Sequence, residues 1–268
     1  MGEAWYKLGC RQDPEDLRDL PMSLVLPAIA LPKQLDYTLS MTPARAQGNE
    51  GTCVAFASVV GIKEYQDTLE YKKNILLSPR FLYNLCKKFD GAPDEDGTYP
   101  RIAMKMLLNY GVCLESFWPY FPHQTNQPKK NAGKSARKYR IKAYARLNSI
   151  IEMQRSLVIN GPFLAGVKAF ASWFSAKVKK NGLIPLPKKL ERLAGGHAIC
   201  IVGYDDRRKL FKFKNSWGKM WGEKVYGYLP YKYMEKYCVD AWSATDLIEN
   251  PKALVKKLEQ IIKKFKTG

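Results

Sequence analysis

Pro119 separates two textures of sequence, and a fold for this chain has to accommodate both. Before it, the punctuation is that of helices. Over residues 51–66, Val54, Ala55, Phe56, Val59, Val60 and Ile62 are spaced for a largely buried helix. Ser78-Pro79 sets a capping side chain ahead of a proline at the first helical position, which opens a helix through Phe81, Leu82, Leu85 and Cys86 that stops before Gly91. A shorter helix over 101–110 ends at Gly111. Beyond Pro119 a basic stretch leads to one helical segment, 149–160, halted by Gly161-Pro162. Short β-type runs then follow over 163–170, 197–204, 209–215, 225–229 and 237–242, broken by Asp205-Asp206, Gly218 and Gly222. Helices followed by a sheet or barrel predict an α+β chain, with a helical lobe over 34–120 and a β-rich lobe over 121–250.

The two ends read differently. Residues 1–33 carry a proline every five to seven positions from Pro14 to Pro32, which prevents a long helix and predicts an extended arm laid over the domain. Residues 251–268 place Leu254, Leu258, Ile261, Ile262 and Phe265 on one face of a helix ringed by lysines, a basic amphipathic element suited first to docking on its own domain. The N-terminus lacks a basic segment followed by an apolar stretch, so no secretory signal is expected, and the cytoplasm or a virus particle is the expected location. No apolar run approaches the roughly 20 residues that cross a bilayer.

Charge and cysteine usage exclude several kinds of chemistry. Residues 1–120 hold 13 basic and 15 acidic side chains, whereas residues 121–268 hold 31 and 10. The surplus includes Lys129, Lys130, Lys134, Arg137, Lys138, Arg140, Lys142 and Arg146, a patch that would attract an anionic surface or nucleic acid. No recognised nucleic-acid motif accompanies it, so a solvated surface is the favoured reading. Six scattered cysteines without a Cys-x-x-Cys pair give no zinc site and read as reduced, mostly buried thiols. Gly133-Lys134-Ser135 lacks the first glycine of a phosphate-binding loop. Neither a Gly-x-Ser-x-Gly elbow nor a His-Glu-x-x-His helix occurs, which leaves serine-hydrolase and zinc-peptidase readings without their key residues. Asp90, Asp94, Glu95 and Asp96 lack calcium-loop spacing and read as a solvated loop, one that would favour basic substrates if it bordered a cleft.

A nucleophilic cysteine needs a thiolate, a base, a group that orients the base, and donors for an oxyanion. Cys53 follows Gln47-Gly48-Asn49-Glu50-Gly51-Thr52 and falls at the first turn of the predicted helix, where free amides and the helix dipole favour a negative sulfur. Of the two histidines, His123 sits in a polar loop and reads as a surface residue. His197 begins an apolar strand after Gly195-Gly196, which leaves its imidazole accessible. Lys214-Asn215-Ser216-Trp217-Gly218 follows on the next strand, where Asn215 can hold the ring and Trp217 can shield that bond from water.

These motifs resemble the papain-like cysteine peptidases. Gln47 stands six residues before Cys53, as the family's oxyanion-hole glutamine stands before its nucleophile. The Gly-Gly-His and Asn-Ser-Trp-Gly blocks follow in the family's order. His197 lies 144 residues after Cys53, within the separation of about 130–150 usual there. The resemblance spans about residues 35–242 and implies a two-lobe fold, a helical lobe and a β-barrel-like lobe with the active-site cleft between them. It implies a thiolate–imidazolium pair of Cys53 and His197, oriented by Asn215, with Gln47 and the Cys53 amide binding the oxyanion. It also implies substrate contacts at Gly97, Thr98, Tyr99, Pro100, Gly196 and Trp217, polypeptide substrates, and neither metal nor cofactor. The expected activity is that of an endopeptidase; alternatives are an exopeptidase, or a basic binding protein that has lost catalysis. Thr98 replaces a usual glycine, Val54 a usual aromatic, and Glu50 a cysteine of the family's disulfide near the active site. These departures are closer to the bacterial, archaeal or viral branches than to the lysosomal one. The arm would pack on the domain and limit access to the cleft.

Overall fold

From Cys53 a single helical run reaches Tyr71 in three pieces: α1 (Cys53–Phe56), a π-helical stretch (Ala57–Lys63) and α2 (Glu64–Tyr71). The protein is represented by a computed structural model that describes residues 6–25, 29–124 and 126–246. The π-helical stretch is wider than an α-helix and lies against the sheet. Gly61 makes that approach possible, since a Cβ there would lie 2.4 Å from the Cys200 Cβ. The Val60 carbonyl is taken by the buried Lys214 ammonium (3.1 Å), which also binds the Thr42 carbonyl (2.7 Å). Burial lowers Lys214 to about 8, with nearby Glu64 opposing.

The remaining helices follow their local signals. Ser78 caps α3 (Pro79–Phe89), its Oγ accepting from the Phe81 amide at 3.0 Å. Pro100 opens α4 (Pro100–Asn109). After α5 (Ala132–Ala136), Ser149 caps α6 (Ile150–Asn160) and Gly161, at φ +83°, ends it. Two short helices, α7 (Ala176–Asn181) and α8 (Tyr231–Tyr237), connect strands.

The strands are β1 (Gln34–Asp36), β2 (Ala143–Arg146), β3 (Phe163–Phe170), β4 (Leu193–Asp205), β5 (Leu210–Lys214), β6 (Tyr226–Pro230) and β7 (Cys238–Thr245). They form one antiparallel sheet in the order β2-β7-β3-β4-β5-β6, with β1 also paired to β4. The α+β class is therefore the one the sequence predicts. The five strands expected from the sequence are present, whereas β1 and β2 are too short to show periodicity, and α8 is a seven-residue segment in which Tyr231, Tyr233 and Tyr237 alternate with Lys232, Met234, Glu235 and Lys236.

Alternation along the strands divides the interior into two cores. Phe163, Ala165, Val167, Ile199, Ile201, Phe211 and Phe213 face one side, with Trp173 and Trp221. Leu164, Ala198, Cys200, Val202, Trp242 and Ala244 face the other, against the helices that follow Cys53. Lys129, Lys130, Lys134, Arg137, Lys138, Arg140 and Lys142 are all exposed around α5. Among the described residues no helix is long and apolar enough to cross a membrane. The basic amphipathic helix expected over 251–268 lies outside the described residues.

Gly61→Ala tests the contact between helix and sheet. Alanine gains up to about 1 kcal/mol of helix propensity, but its Cβ meets a strand held by pairing on both sides, and overpacking costs about 1–3 kcal/mol. The variant is expected to be less stable, seen as a lower urea midpoint with unchanged slope.

Candidate active site

Cys53 sits at the N-terminus of α1, and His197 and Asn215 come from β4 and the end of β5. The imidazole is fully buried. Its Nε2 lies 2.8 Å from Asn215 Oδ1, and its Nδ1 has no hydrogen-bond partner. Because Asn215 Oδ1 can only accept, it fixes the proton on Nε2 and leaves the Nδ1 lone pair as a base. The same oxygen accepts from the Ser216 amide (2.8 Å), so the side chain cannot turn its amide nitrogen to the ring without losing both bonds. Trp217 stacks on the imidazole at 4.5 Å and Trp173 meets it edge-on at 5.9 Å, covering the pair on two sides.

Gln47 is positioned with equal care. Its backbone amide donates to Ser216 O (2.8 Å) and its Oε1 accepts from Ser216 Oγ, which turns Nε2 toward the loop before Cys53. That nitrogen donates to Glu50 O (2.8 Å) and to Lys7 O (3.1 Å). Ser216 was not singled out from the sequence; its position inside the Asn-Ser-Trp-Gly block is the only signal it gave.

Lys7 belongs to the N-terminal arm, and the arm runs through the site. Tyr6 stacks on Trp217 at 4.6 Å. The Cys10 amide donates to Gly196 O, the Thr98 amide to Gly9 O and the Arg11 amide to Thr98 O, each at 3.0 Å. Both backbone groups of Thr98 are thus paired with the arm. Arg11 lies over the Tyr99 ring, 5.7 Å from its centroid, and pairs with Glu95, while Lys7 pairs with Asp96 at 3.0 Å. Gly9 fits between Gly51 and Gly97 only because it has no side chain: a Cβ there would lie 2.2 Å from Gly51 O. Beyond the cleft, Asp13 accepts from the Arg101 amide and Trp242 Nε1, and its own amide donates to Asp240 Oδ2 (2.9 Å).

The covered site differs electrostatically from the expected ion pair. Burial lifts the Cys53 thiol to about 11, against the pull of the Ala198, Gly9 and Val54 amides and its own. Burial also lowers His197 to about 4, against its bond to Asn215. Under the arm both groups are neutral at pH 7. The structure thus departs from the thiolate–imidazolium pair expected from the sequence, because desolvation penalises the charged form of each partner.

All six cysteines are free, five of them buried. Among the described residues, the acidic group that could hold a cation is Asp67, Glu70 and Asp246, whose oxygens lie within 4.8 Å of one another. Asp67 and Asp246 already hold the Lys63 ammonium.

The papain family cysteine protease profile matches residues 31–243. An uncharacterized peptidase C1-like protein of Acanthamoeba polyphaga mimivirus is 33% identical over 221 residues, covering 76% of this chain and 71% of that protein. Cathepsin 7 of Rattus norvegicus is 30% identical over 78% of this chain, which spans 64% of that relative, just under two thirds of its length. Among solved structures, xylellain, a cysteine protease from Xylella fastidiosa, superposes with a TM-score of 0.81 at 29% identity, covering 92% of this chain and 98% of that one.

The pKa shifts predict how Cys53 reacts. In the intact chain its alkylation by iodoacetamide, followed by peptide mapping, is expected to be slow at pH 7 and to rise as pH approaches about 11. Gly9→Val, which forces the arm off Gly51, is expected to bring fast alkylation down to neutral pH.

Proposed function

Because the chain belongs to the papain family of cysteine proteases, we propose that it is an endopeptidase held inactive by its own N-terminal arm. The observation that carries this reading is an extended polypeptide lying in the cleft. It is bonded to Gln47 Nε2, to Gly196 O and to both backbone groups of Thr98. The arm continues past Thr98 to Arg101, so the groove accepts chain in both directions, as an endopeptidase requires and an exopeptidase with a blocked end does not.

In the uncovered site His197 Nδ1 takes the Cys53 proton, and the sulfur attacks a substrate carbonyl carbon. Gln47 Nε2 and the Cys53 amide bind the developing oxyanion. The imidazolium, held by Asn215, gives its proton to the departing amine. Water then attacks the acyl-enzyme, with His197 as base, and frees the new carboxylate. Cys53 has the Gly9 amide beside it, while the carbonyl bonded to Gln47 is that of Lys7, two residues away. The ion pairs of Lys7 and Arg11 with Asp96 and Glu95 support a preference for basic polypeptides.

The contact between Asp13 and Asp240 makes arm docking pH-dependent. Burial raises both carboxyls; Asp240 is raised further by Asp13, while Arg101 and Arg146 pull the other way and Asp19 pairs with both arginines. Groups whose pKa is raised on docking bind protons more tightly in the docked state. The contribution of these two carboxyls to docking is therefore largest in acid and falls as pH rises through and above the usual carboxylate range.

Three outcomes test the reading. An epoxysuccinyl inhibitor should label Cys53 in full-length Gly9→Val and not in the same chain carrying Cys53→Ala; labelling that survives the second change would end the assignment. Full-length Gly9→Val should hydrolyse internal peptide bonds at least about tenfold faster than the parent, and equal rates would remove the inhibitory role of the arm. The parent's activity relative to Gly9→Val should rise with pH, and Asp13→Asn should flatten that rise.

A further inference from the structure

The loop from Gln47 to Cys53 carries both oxyanion donors of the mechanism above, and no disulfide braces it among the described residues. Glu50, three residues before the nucleophile, is buried. Arg80 grips its carboxylate with both ends of the guanidinium: NH1 donates to Oε1 at 2.7 Å and NH2 to Oε2, where the His123 amide also donates (2.9 Å). Arg80 is itself fixed, with NH2 donating to Phe121 O (2.6 Å) and its guanidinium lying 4.8 Å from the Tyr120 ring centroid.

The backbone of the same loop is tied at two further points. Tyr120 Oη donates to Gln47 O (2.8 Å) and lies 2.8 Å from Thr52 Oγ1. Glu50 O accepts from Gln47 Nε2 (2.8 Å) and from the Thr52 amide (2.8 Å). Any displacement of Glu50 therefore moves the Gln47 amide and the peptide leading into Cys53 together. Although burial opposes it, Arg80 and the His123 amide keep the Glu50 carboxyl below its ordinary range. The grip thus persists at any pH where carboxylates are ionised.

We propose that Arg80 and Tyr120 are positioning residues for the reaction, which set the separation of the two oxyanion donors through Glu50 and the Gln47 carbonyl. Neither touches substrate. The inference rests on the peptidase reading and adds to it how the oxyanion site is held without a covalent crosslink. An oxyanion site contributes mainly in the transition state, so loosening it should lower kcat and leave KM almost unchanged. Loss of one oxyanion donor costs about a hundredfold or more in kcat, and displacement by about 1 Å costs a comparable factor.

The experiment uses full-length chains that all carry Gly9→Val, so that arm docking is equal across the series. Arg80→Lys keeps the charge and loses the fork, and should lower kcat about tenfold. Arg80→Met should lower it about a hundredfold, and Tyr120→Phe, which removes one hydroxyl, about fivefold. KM should stay within about threefold throughout, and Lys should recover part of what Met loses. If the Arg80 variants do not fold, Tyr120→Phe decides the question alone. Unchanged kcat in folded variants, or a loss that falls on KM, overturns the proposal. A Gly9→Val parent that neither hydrolyses peptides nor is labelled at Cys53 overturns the peptidase reading itself, and this inference with it.

Discussion

Docking of the helix that begins at Cys53 onto β4 and β5 is the contact on which the rest of the molecule depends. Cys53 lies on one side of it, and the His197 imidazole and the Asn215 amide bonded to it on the other. Gly61 lets the helix approach Cys200, and Lys214 ties the helix to β5 through the Val60 carbonyl one residue before Asn215. Within the π-helical stretch the Val60 carbonyl accepts from a buried ammonium. The cost of burying that charge is offset by Thr42, Val60 and the nearby Glu64. The geometry of the catalytic candidates is thus set by packing well inside the molecule.

Around that joint the site is built by constraint in layers. Asn215 determines which imidazole nitrogen carries the proton, and Ser216 determines which end of the Gln47 amide faces the loop. The two tryptophans cover the imidazole. Each device removes a conformational choice before any substrate arrives, and preorganised donors need no rearrangement as charge develops. The arm uses the same groups in a neutral setting. By excluding water it removes the solvation on which an ion pair would rely, so covering the site and silencing its electrostatics are one event.

Much of this was legible in the residues. The helix–then–strand order, the Ser78-Pro79 cap and the stop at Gly161 are local signals, and the structure follows them. Cys53, His197, Asn215 and Gln47 stood out through type and order along the chain. What could not be read depended on approach in three dimensions. Arg80 lies 30 residues from Glu50 and Tyr120 a further 40, so neither shows a pattern with the loop they hold. The neutrality of Cys53 and His197 follows from their burial, and the Gly9 amide beside Cys53 reveals nothing of its target in sequence. β1 and β2 were missed because three or four residues cannot display a period of two.

Continuity of the chain between the arm and β1 has a consequence that its individual contacts do not suggest. A segment tethered close to its docking groove meets it at an effective concentration of millimolar order. Contacts that together exceed about 4 kcal/mol are then enough to keep the groove filled, and the backbone bonds of Gly9, Cys10 and Arg11 and the buried Asp13 contacts supply them alongside exposed pairs such as Lys7–Asp96. A single backbone cut in the connecting stretch would leave every contact intact yet turn the blocker into a separate peptide that dilution can carry away. The closure therefore depends on the covalent link as well as on the surfaces it brings together.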